Sequence, residues 1–263
     1  SLNSSTETRP FHESSPEESD RDLQTKFAEE GYLCLKQAID PSLCVSLLNL
    51  MISRMRGVLE FCESSWSPTL VGEPFVEADQ TWDLLYPELQ SLEALHNFFH
   101  LQDILTLMRR VLGVDPFVYP MKMARIATPR MTGFETPPHQ DVYSHHSDPT
   151  MAGIWVALHD VDETMGRLTI LDRSHKRGVR KVLKSAGVGG IQCEICDDER
   201  LWHVSNLECG DVIIFSSHTV HKAEPNSSEN KVRVSVDTRF CEHGAPVFST
   251  NLEPHHGWRI ELL

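Results

Sequence analysis

The sequence predicts a mainly β protein whose N-terminal part forms a helical layer against the sheets. Two observations, one on each half of the chain, support this prediction. Up to about residue 114, apolar residues recur at helical spacing, and segments stop at glycines such as Gly31 and Gly113. After Pro116 the segments become short, rich in β-branched residues and bounded by Gly, Pro, Asn or Asp, which is typical of a sandwich, jelly roll or barrel.

The N-terminal part begins with a polar segment and continues with helices. Residues 1–20 are rich in Ser and Glu and poor in large apolar side chains, so we expect a disordered tail there. Asp40 and Pro41 supply an N-cap and a first-turn proline for the second expected helix. Helices are expected over residues 22–31, 41–61 and 91–113, with a strand directly after the first of them.

The C-terminal half is expected to hold the β core. Strands are expected over residues 117–127, 152–162, 166–172, 191–196, 211–217 and 231–240. The chain shows no internal repeat, and its 263 residues are enough to bury one large core. We therefore expect a single domain over residues 21–263, with a helical part at 21–114 and a jelly-roll core at 115–245.

The excess of acidic over basic residues restricts the kinds of molecule that the protein is expected to bind. The chain has 38 acidic and 24 basic residues, and its net charge of −14 disfavours binding to nucleic acid or to anionic membranes. The apolar runs are too short to cross a bilayer, and the first residues show no secretory signal pattern. Seven cysteines without framework spacing indicate reduced thiols in a cytoplasmic protein, and Cys193-Glu-Ile-Cys196 fits a strand better than a metal or redox site. We expect a small molecule as the partner.

The segment from Thr136 to Thr150 holds three histidines and two aspartates, side chains that commonly bind metals. His139 and Asp141 lie two residues apart, so on an extended segment both side chains point to the same side. They can then supply two ligands of a facial triad, in which two histidines and one carboxylate leave open positions on Fe(II). Because His-x-Asp is frequent by chance, the pattern needs a further histidine from a distant strand.

A downstream apolar strand offers that histidine. It starts after Gly210-Asp211 and leads to His218 and His221, whose odd separation lets only one of them face the metal. His221 is favoured because an arginine-bearing strand and a Pro-Asn turn follow it.

The arginine-bearing strand alternates between valines and polar residues, so that Arg233, Ser235 and Asp237 share one face. That face is either a solvated surface or an interior face on which Arg233 binds an anionic co-substrate, since arginine pairs strongly with a desolvated carboxylate. Arg239, near the end of the strand, is the competing candidate for this role.

The order of these motifs resembles the phytanoyl-CoA dioxygenase family, whose members are iron(II)- and 2-oxoglutarate-dependent oxygenases. The matching motifs are His139-Gln140-Asp141, Trp155-Val-Ala-Leu, Met165-Gly-Arg-Leu, Ser174-His175, Gly210-Asp211, His221, Asn226 and Arg233-x-Ser235. The resemblance covers about residues 22–245. It implies a double-stranded β-helix, a cupin-like jelly roll flanked by N-terminal helices, with Fe(II) as cofactor and 2-oxoglutarate and O2 as co-substrates.

The resemblance also implies which residues form the site, when the family's functional residues are matched to positions of this sequence. His139, Asp141 and His221 correspond to the iron ligands, and Arg233 to the arginine that binds the distal carboxylate of 2-oxoglutarate. The further expected co-substrate contacts are Ser235, Thr219, Lys122 and Arg125. The carboxylate at Asp141 indicates oxygen transfer, since halogenating relatives lack it.

Three positions depart from the family's usual pattern. Asp172-Arg-Ser-His stands where Pro-Gly-Ser-His is usual, and Met165-Gly166 stands in place of Asn-Gly. Lys222-Ala-Glu follows the second iron histidine instead of Gly-Ser-Gly. The first two departures affect turns, whereas the third changes the rim of the pocket and leaves the substrate class open.

The implied reaction is the hydroxylation of a C–H bond of a small molecule, with release of succinate and CO2. The expected substrate is a small polar or anionic metabolite of organophosphonate type, or a natural-product intermediate. His145, His146 and Trp155 are its candidate contacts, and each also has a plainer interpretation as a loop or core residue. The alternatives are a cupin-like metalloenzyme that does not use 2-oxoglutarate, an acyl-CoA hydroxylase, and a binding protein without catalysis.

Overall fold

The computed structural model describes residues 6–55, 57–62, 67–77, 79–130, 133–145 and 150–255. Its α-helices are α1 (Asp20–Glu30), α2 (Pro41–Arg54), α3 (Gln80–Gln90), α4 (Glu93–Phe98), α5 (Gln102–Leu112) and α6 (Asp141–Ser144). Its strands are β1 (Glu7–Arg9), β2 (Glu13–Ser14), β3 (Tyr32–Leu35), β4 (Leu59–Cys62), β5 (Ser67–Leu70), β6 (Pro116–Val118), β7 (Met123–Ala127), β8 (Ala152–Ala157), β9 (Leu168–Leu171), β10 (Val182–Lys184), β11 (Ile191–Cys193), β12 (Leu201–His203), β13 (Val212–Ser216), β14 (His221–Ala223) and β15 (Arg233–Glu242). Short 3-10 helices cover Ser174–Arg177 and Ser249–Leu252.

Two sheets form the centre of the molecule. The larger sheet has the strand order β2-β3-β13-β8-β15-β6, with β7 also paired to β15, and the smaller sheet has the order β1-β12-β9-β14. An apolar cluster joins them, because Trp155 and Phe215 of the larger sheet pack with Leu168 and Ile170 of the smaller one. This arrangement confirms the predicted jelly-roll core with N-terminal helices.

The helices cover the outer face of the larger sheet. Val234 and Val236 on β15 belong to one apolar cluster with Leu47 and Leu48 of α2 and Leu107 of α5. Burial of these aliphatic side chains is the main force that fixes the helical layer on the sheet. Since the valines of β15 point outward to the helices, its alternate residues point inward between the sheets.

Local sequence signals set the ends of the first two helices. Ser19 caps α1 by accepting a hydrogen bond from the main-chain N–H of Asp22, and Asp40 caps α2 in the same way. Gly31 ends α1 in the left-handed conformation at φ 78°. A Cβ atom at Gly31 would lie 2.3 Å from the Nδ1 atom of His175, so close packing also requires glycine there.

The predicted disordered tail is corrected by the structure from residue 6 onward. β1 pairs in parallel with β12, and β2 pairs in parallel with β3. Between them Phe11 is only 4% exposed and packs edge-on against the ring of Tyr32 at 5.2 Å. The tail prediction was wrong here because an edge strand can be held by main-chain hydrogen bonds and one aromatic anchor, which composition does not reveal.

Two helix predictions also need correction. The second helix ends at Arg54, and a hairpin of β4 and β5 follows it after Gly57, which adopts φ 80°. The third predicted helix is divided into α4 and α5, and α3 precedes it with Pro87 inside its span. No helix of the described residues has the length and apolar character that crossing a membrane requires.

Candidate metal and co-substrate site

Two histidines far apart in the chain are brought together by main-chain pairing. His139 and His221 form an isolated antiparallel bridge, with N–H to carbonyl distances of 3.0 and 3.1 Å. Their ring centroids lie 4.1 Å apart. Because the bridge is made by main-chain atoms at the start of β14, the positions of the two rings are set by the fold itself.

Hydrogen bonds to main-chain carbonyls orient both rings. The Nδ1 atom of His139 lies 2.8 Å from the carbonyl oxygen of Pro137, and Nδ1 of His221 lies 3.1 Å from that of Thr219. Since a carbonyl only accepts, each Nδ1 must donate its proton. Each Nε2 atom is then an unprotonated donor for a metal, which is the arrangement found for metal-binding histidines.

The carboxylate of Asp141 completes this group. Asp141 is fully buried and begins α6, directly after Gln140, which is extended. Its Oδ1 atom lies 3.8 Å from Nε2 of His139 and 3.9 Å from Nε2 of His221. The three candidate ligand atoms all lie within 4.8 Å of one another. The predicted convergence therefore occurs, although across the start of a helix and not along one extended segment.

The electrostatics of the group suit a divalent cation. Burial raises the pKa of Asp141, but the Arg239 guanidinium and the neighbouring histidines outweigh it and hold that pKa below its usual range. Burial lowers the pKa of His221 to about 3, and it also lowers the pKa of His139. At neutral pH the group thus presents two neutral imidazoles and one carboxylate, the donor set of a facial iron triad.

Arg233 lies in the same cavity as the two histidines. This inner cavity is lined by His139, His221, Arg233, Arg125, Arg239, Asp237 and Trp155, among others. Nη1 of Arg233 donates to the hydroxyl of Ser235 at 2.9 Å, and the guanidinium lies 6.0 Å from the centre of the Trp155 ring. Burial lowers the pKa of Arg233 to about 10, so the side chain is still cationic at neutral pH. Among the described residues it forms no ion pair, which leaves its charge available to an anion.

Arg239 has a different environment. Its Nε atom lies 2.5 Å from Oδ2 of Asp141, and its Nη1 atom donates to Asp237 at 2.5 Å. Asp237 in turn accepts a hydrogen bond of 2.9 Å from Nε of Arg125. Arg125, Asp237, Arg239 and Asp141 therefore form a continuous network that ends on the candidate metal ligand. Only Arg125 in this network is half-exposed.

A larger chamber adjoins the inner cavity and shares Arg125, His139 and Arg239 with its wall. Its volume is about 350 Å³, and it includes His139 and Asp141 in its wall. Its other polar lining residues include Arg125, Arg239, Ser144, His145, Asn251 and His255. Glu77, Val188 and Gly189 also border a second space of about 680 Å³, which we call the mouth and which has Trp82, Tyr86 and Phe134 in its wall. Volumes of this size are typical of small-molecule sites.

The structure brings most of the predicted site residues to these cavities, but not all. Thr219 is absent from both linings, and its hydroxyl donates to the carbonyl of Gly31 at 2.7 Å. Lys122 is also outside them, and its buried ammonium group donates to the carbonyl of Tyr119. His145 lines the chamber, whereas His146 lies outside the described residues.

The network of Asp237 and Arg239 is a feature of the site that the sequence alone does not predict. The available signal was the alternation of β15, which puts Arg233, Ser235, Asp237 and Arg239 on one face. The sequence alone offers Arg239 only as a competitor of Arg233 for the co-substrate. Its contact with Asp141 could not be read from the sequence, because it depends on how α6 lies against β15.

Comparison with known proteins agrees with this geometry. The family model of the phytanoyl-CoA dioxygenases (PhyH) matches residues 27–235. The chain is 26% identical, over 84% of its length and 81% of the relative, to 1-deoxypentalenic acid 11-beta-hydroxylase of Streptomyces exfoliatus. It is 25% identical, over 80% of its length and 86% of the relative, to phytanoyl-CoA dioxygenase domain-containing protein 1 of Danio rerio.

Solved structures show the same fold at low sequence identity. The epimerase SnoN, in complex with Fe3+, alpha-ketoglutarate and nogalamycin RO, matches with a TM-score of 0.62 at 16% identity, over 88% of this chain and 86% of that one. The carbocyclase SnoK from nogalamycin biosynthesis matches with a TM-score of 0.59 at 17% identity, over 90% and 89%. The family match spans most of the chain, and the His-Asp-His group suits the metal, so this chain belongs to the phytanoyl-CoA dioxygenase family of iron(II)- and 2-oxoglutarate-dependent oxygenases.

Proposed function

We propose that the enzyme hydroxylates a C–H bond of a small molecule, with Fe(II) held by His139, Asp141 and His221. Arg233 binds the distal carboxylate of 2-oxoglutarate in the inner cavity. The observation that carries this proposal is the convergence of two free Nε2 atoms and one carboxylate oxygen within 4.8 Å. Both histidines line a cavity that also holds a buried arginine with no ion pair among the described residues. A metal site without an anionic co-substrate would have no use for that arginine, because a buried cation without a partner is costly.

The cofactor supplies the oxidising chemistry, in which O2 and 2-oxoglutarate are consumed and succinate and CO2 are released. The protein holds and orients the reactants. Arg233 fixes the far end of 2-oxoglutarate with help from Ser235, and Trp155 forms the wall beside that arginine. The side chains of the chamber determine which C–H bond of the substrate lies near the metal.

The chamber favours an uncharged substrate over an organophosphonate. Arg125 is already paired with Asp237 at 2.9 Å and lies 3.9 Å from Glu77, and Arg239 is paired with two aspartates. Burial lowers the pKa of His145 to about 4, so this histidine is neutral at physiological pH. An anionic headgroup would therefore have to displace existing ion pairs, which costs free energy.

The mouth favours a ring-containing molecule of natural-product type. Trp82 and Tyr86 stack at 4.3 Å in its wall, and Phe134 lies in the same wall. The carboxylates of Glu77 and Asp83 also line it, and they would repel the phosphates of an acyl-CoA. Aromatic walls with few polar groups are typical of sites for compact apolar ligands. The acyl-CoA alternative is therefore disfavoured.

Hydroxylation is favoured by the relative that is named a hydroxylase, whereas two structural neighbours are named an epimerase and a carbocyclase. The products of these three reactions differ from the substrate in different ways in their elemental composition. Hydroxylation adds one oxygen atom, epimerisation leaves the composition unchanged, and ring closure removes two hydrogen atoms. The mass of the product therefore identifies the reaction.

The test has two stages. In the first, the anaerobic protein with Fe(II) and 2-oxoglutarate should develop the visible charge-transfer band of the chelate. Absence of the band with intact metal binding would remove the role of 2-oxoglutarate. In the second, uncharged polycyclic compounds and organophosphonates are screened by substrate-dependent succinate release under isotopically labelled O2. We expect a hit among the uncharged compounds with one labelled oxygen in the product. A response limited to organophosphonates would contradict the substrate class.

We also propose that the enzyme works in the cytoplasm. The support for this location is the set of seven cysteines without framework spacing.

A further inference from the structure

Arg239 contacts both oxygens of the Asp141 carboxylate and lines the inner cavity together with the two histidines. Its Nε atom lies 2.5 Å from Oδ2, and its Nη2 atom lies 3.1 Å from Oδ1. The Oδ1 atom is also the one that lies 3.8 and 3.9 Å from the free Nε2 atoms of His139 and His221. Oδ1 thus faces the candidate metal position while it accepts a hydrogen bond from Nη2, and Nε lies against Oδ2 without the geometry of a hydrogen bond.

We propose that Arg239 is a positioning residue that restricts Asp141 to one-oxygen coordination of the metal. This inference rests on the proposed function of the site. A carboxylate can bind a cation through one or both oxygens. A six-coordinate metal held by three protein donors would keep three positions for its co-substrates, 2-oxoglutarate and O2. If Oδ2 also bound the metal, the position needed by O2 would be lost.

The guanidinium is itself fixed by a second carboxylate. Nη1 of Arg239 donates to Oδ2 of Asp237 at 2.5 Å, and the other oxygen of Asp237 accepts from Arg125. The Arg239 side chain is only 3% exposed, and its guanidinium lies 5.7 Å from the ring of Phe215. Because all three nitrogen atoms of the planar Arg239 guanidinium have contacts, these contacts fix its orientation. A lysine at this position would keep the charge but could not reach both aspartates in the same geometry.

A direct role of Arg239 in binding 2-oxoglutarate fits the contacts less well. Arg239 already faces two carboxylates, whereas Arg233, on the same face of β15, faces none among the described residues. An added carboxylate at Arg239 would compete with a metal ligand. The two arginines therefore have different roles: Arg233 binds the co-substrate, and Arg239 orients the metal ligand Asp141.

The experiment uses Co(II) as a probe that binds in place of iron and whose visible absorption reports its coordination number. The parent protein is compared with Arg239→Gln, Arg239→Lys and Asp237→Asn, without 2-oxoglutarate. The matched control is Arg110→Gln, because Arg110 also forms an ion pair, with Asp20 at 2.6 Å, but between α1 and α5. Affinity for Co(II) is measured by titration, and the KM for 2-oxoglutarate and kcat are measured with Fe(II).

We expect both Arg239 variants to change the Co(II) spectrum and to weaken Co(II) binding about 10- to 100-fold, as for other residues that orient metal ligands. The KM for 2-oxoglutarate should change less than about threefold while kcat falls at least about tenfold. Asp237→Asn keeps the arginine, so it should fold even if Arg239→Gln does not, and it should shift the spectrum in the same direction. Arg110→Gln should match the parent protein in all of these measurements.

Three results would overturn the proposal. A parental Co(II) spectrum in Arg239→Gln or Asp237→Asn would leave Arg239 only a structural role. A parental spectrum in Arg239→Lys would show that charge alone is sufficient. A large rise in the KM for 2-oxoglutarate, with unchanged Co(II) binding, would make Arg239 a co-substrate residue. Because Co(II) binding needs no 2-oxoglutarate, these results are independent of the charge-transfer test of the proposed function.

Discussion

Buried and half-buried histidines in two regions of this protein differ in how many of their ring nitrogens have a hydrogen-bond partner. In the wall of the inner cavity, His139 and His221 each use Nδ1 on a main-chain carbonyl, and Nε2 faces the candidate metal position. Outside the cavities, His159 binds a carbonyl through Nδ1 and accepts a main-chain N–H at Nε2. His203 likewise has a carbonyl at one nitrogen and a carboxylate at the other.

The arginines show the same difference. Arg110 contacts Asp20 through Nε and two main-chain carbonyls through its remaining nitrogens, so every nitrogen has a partner. Arg233 is more deeply buried, yet the described residues offer it only the hydroxyl of Ser235. Because unpaired buried polar groups are costly, a native protein keeps them mainly where a ligand completes them. Among these residues, incomplete hydrogen bonding marks the wall of the inner cavity. Elsewhere in the described residues, Nδ1 of His175 and Nε of Arg180 are also buried without a hydrogen-bond partner.

The largest expected effect comes from removing a free histidine nitrogen. His221→Ala should weaken Fe(II) binding more than about a hundredfold and abolish succinate formation, because one of three protein ligands is lost. The matched control is His218→Ala, three residues earlier and outside both cavity linings. Metal titration by calorimetry and a succinate assay measure both effects. If His218→Ala lost the metal and His221→Ala kept it, the choice between the two histidines would be reversed.

The next effect tests the unpaired arginine. Arg233→Ala should raise the KM for 2-oxoglutarate about a hundredfold, since truncating one partner of a buried charge pair costs roughly 3 kcal/mol. Fe(II) binding should be unchanged, because Arg233 contacts none of the three ligands. Arg110→Ala should leave the KM unchanged and lower only the stability. Steady-state kinetics and metal titration distinguish these cases, and an equal rise in KM in both variants would contradict the contrast between the two regions.

These two predictions rest on residues that the sequence alone could identify. His139, Asp141, His221 and Arg233 occur in motifs whose order and spacing can be recognised in the sequence. The fold brings the ligand atoms of the first three within 4.8 Å of one another, and Arg233 lines the same cavity as the two histidines. The strands of the core were predictable for the same reason, because period-2 alternation and turn residues are local signals.

The remaining features depend on contacts between distant segments. Thr219 lies two residues before His221, so its spacing suggested the cavity, but its hydroxyl is taken by the carbonyl of Gly31. The pairing of Arg239 with Asp141 depends on the placement of α6, and the ordered residues 6–14 depend on the free edges of two sheets. Local periodicity contains no information about such neighbours.

A smaller effect concerns the pH dependence of stability in the structural region. Burial lowers the pKa of His159 to about 4, against about 6.5 in an unfolded chain. As the pH falls from 6.5 towards 4, His159 becomes protonated in the unfolded state but stays neutral in the folded state. The free energy of unfolding therefore falls with pH in this range. The His159→Gln variant keeps a hydrogen-bond acceptor for Val234 but does not titrate. Between pH 7 and pH 5 its free energy of unfolding should fall by about 1–2 kcal/mol less than that of the parent protein. Urea unfolding at both pH values measures this, and an unchanged difference would show that His159 is not buried in its neutral form.

The smallest effect concerns Thr219, which the sequence suggested for the co-substrate and the structure engages with Gly31 at 2.7 Å. Thr219→Val should lower the free energy of unfolding by about 1 kcal/mol, the contribution of one hydrogen bond. The loss should not be larger, because the carbonyl of Gly31 also accepts the main-chain N–H of Ser216. The KM for 2-oxoglutarate should remain at the parental value, and Thr219→Ser, which keeps the hydroxyl, should restore most of the stability. A rise in KM with unchanged stability would instead assign Thr219 to the functional region and show that a satisfied hydroxyl can still serve the co-substrate.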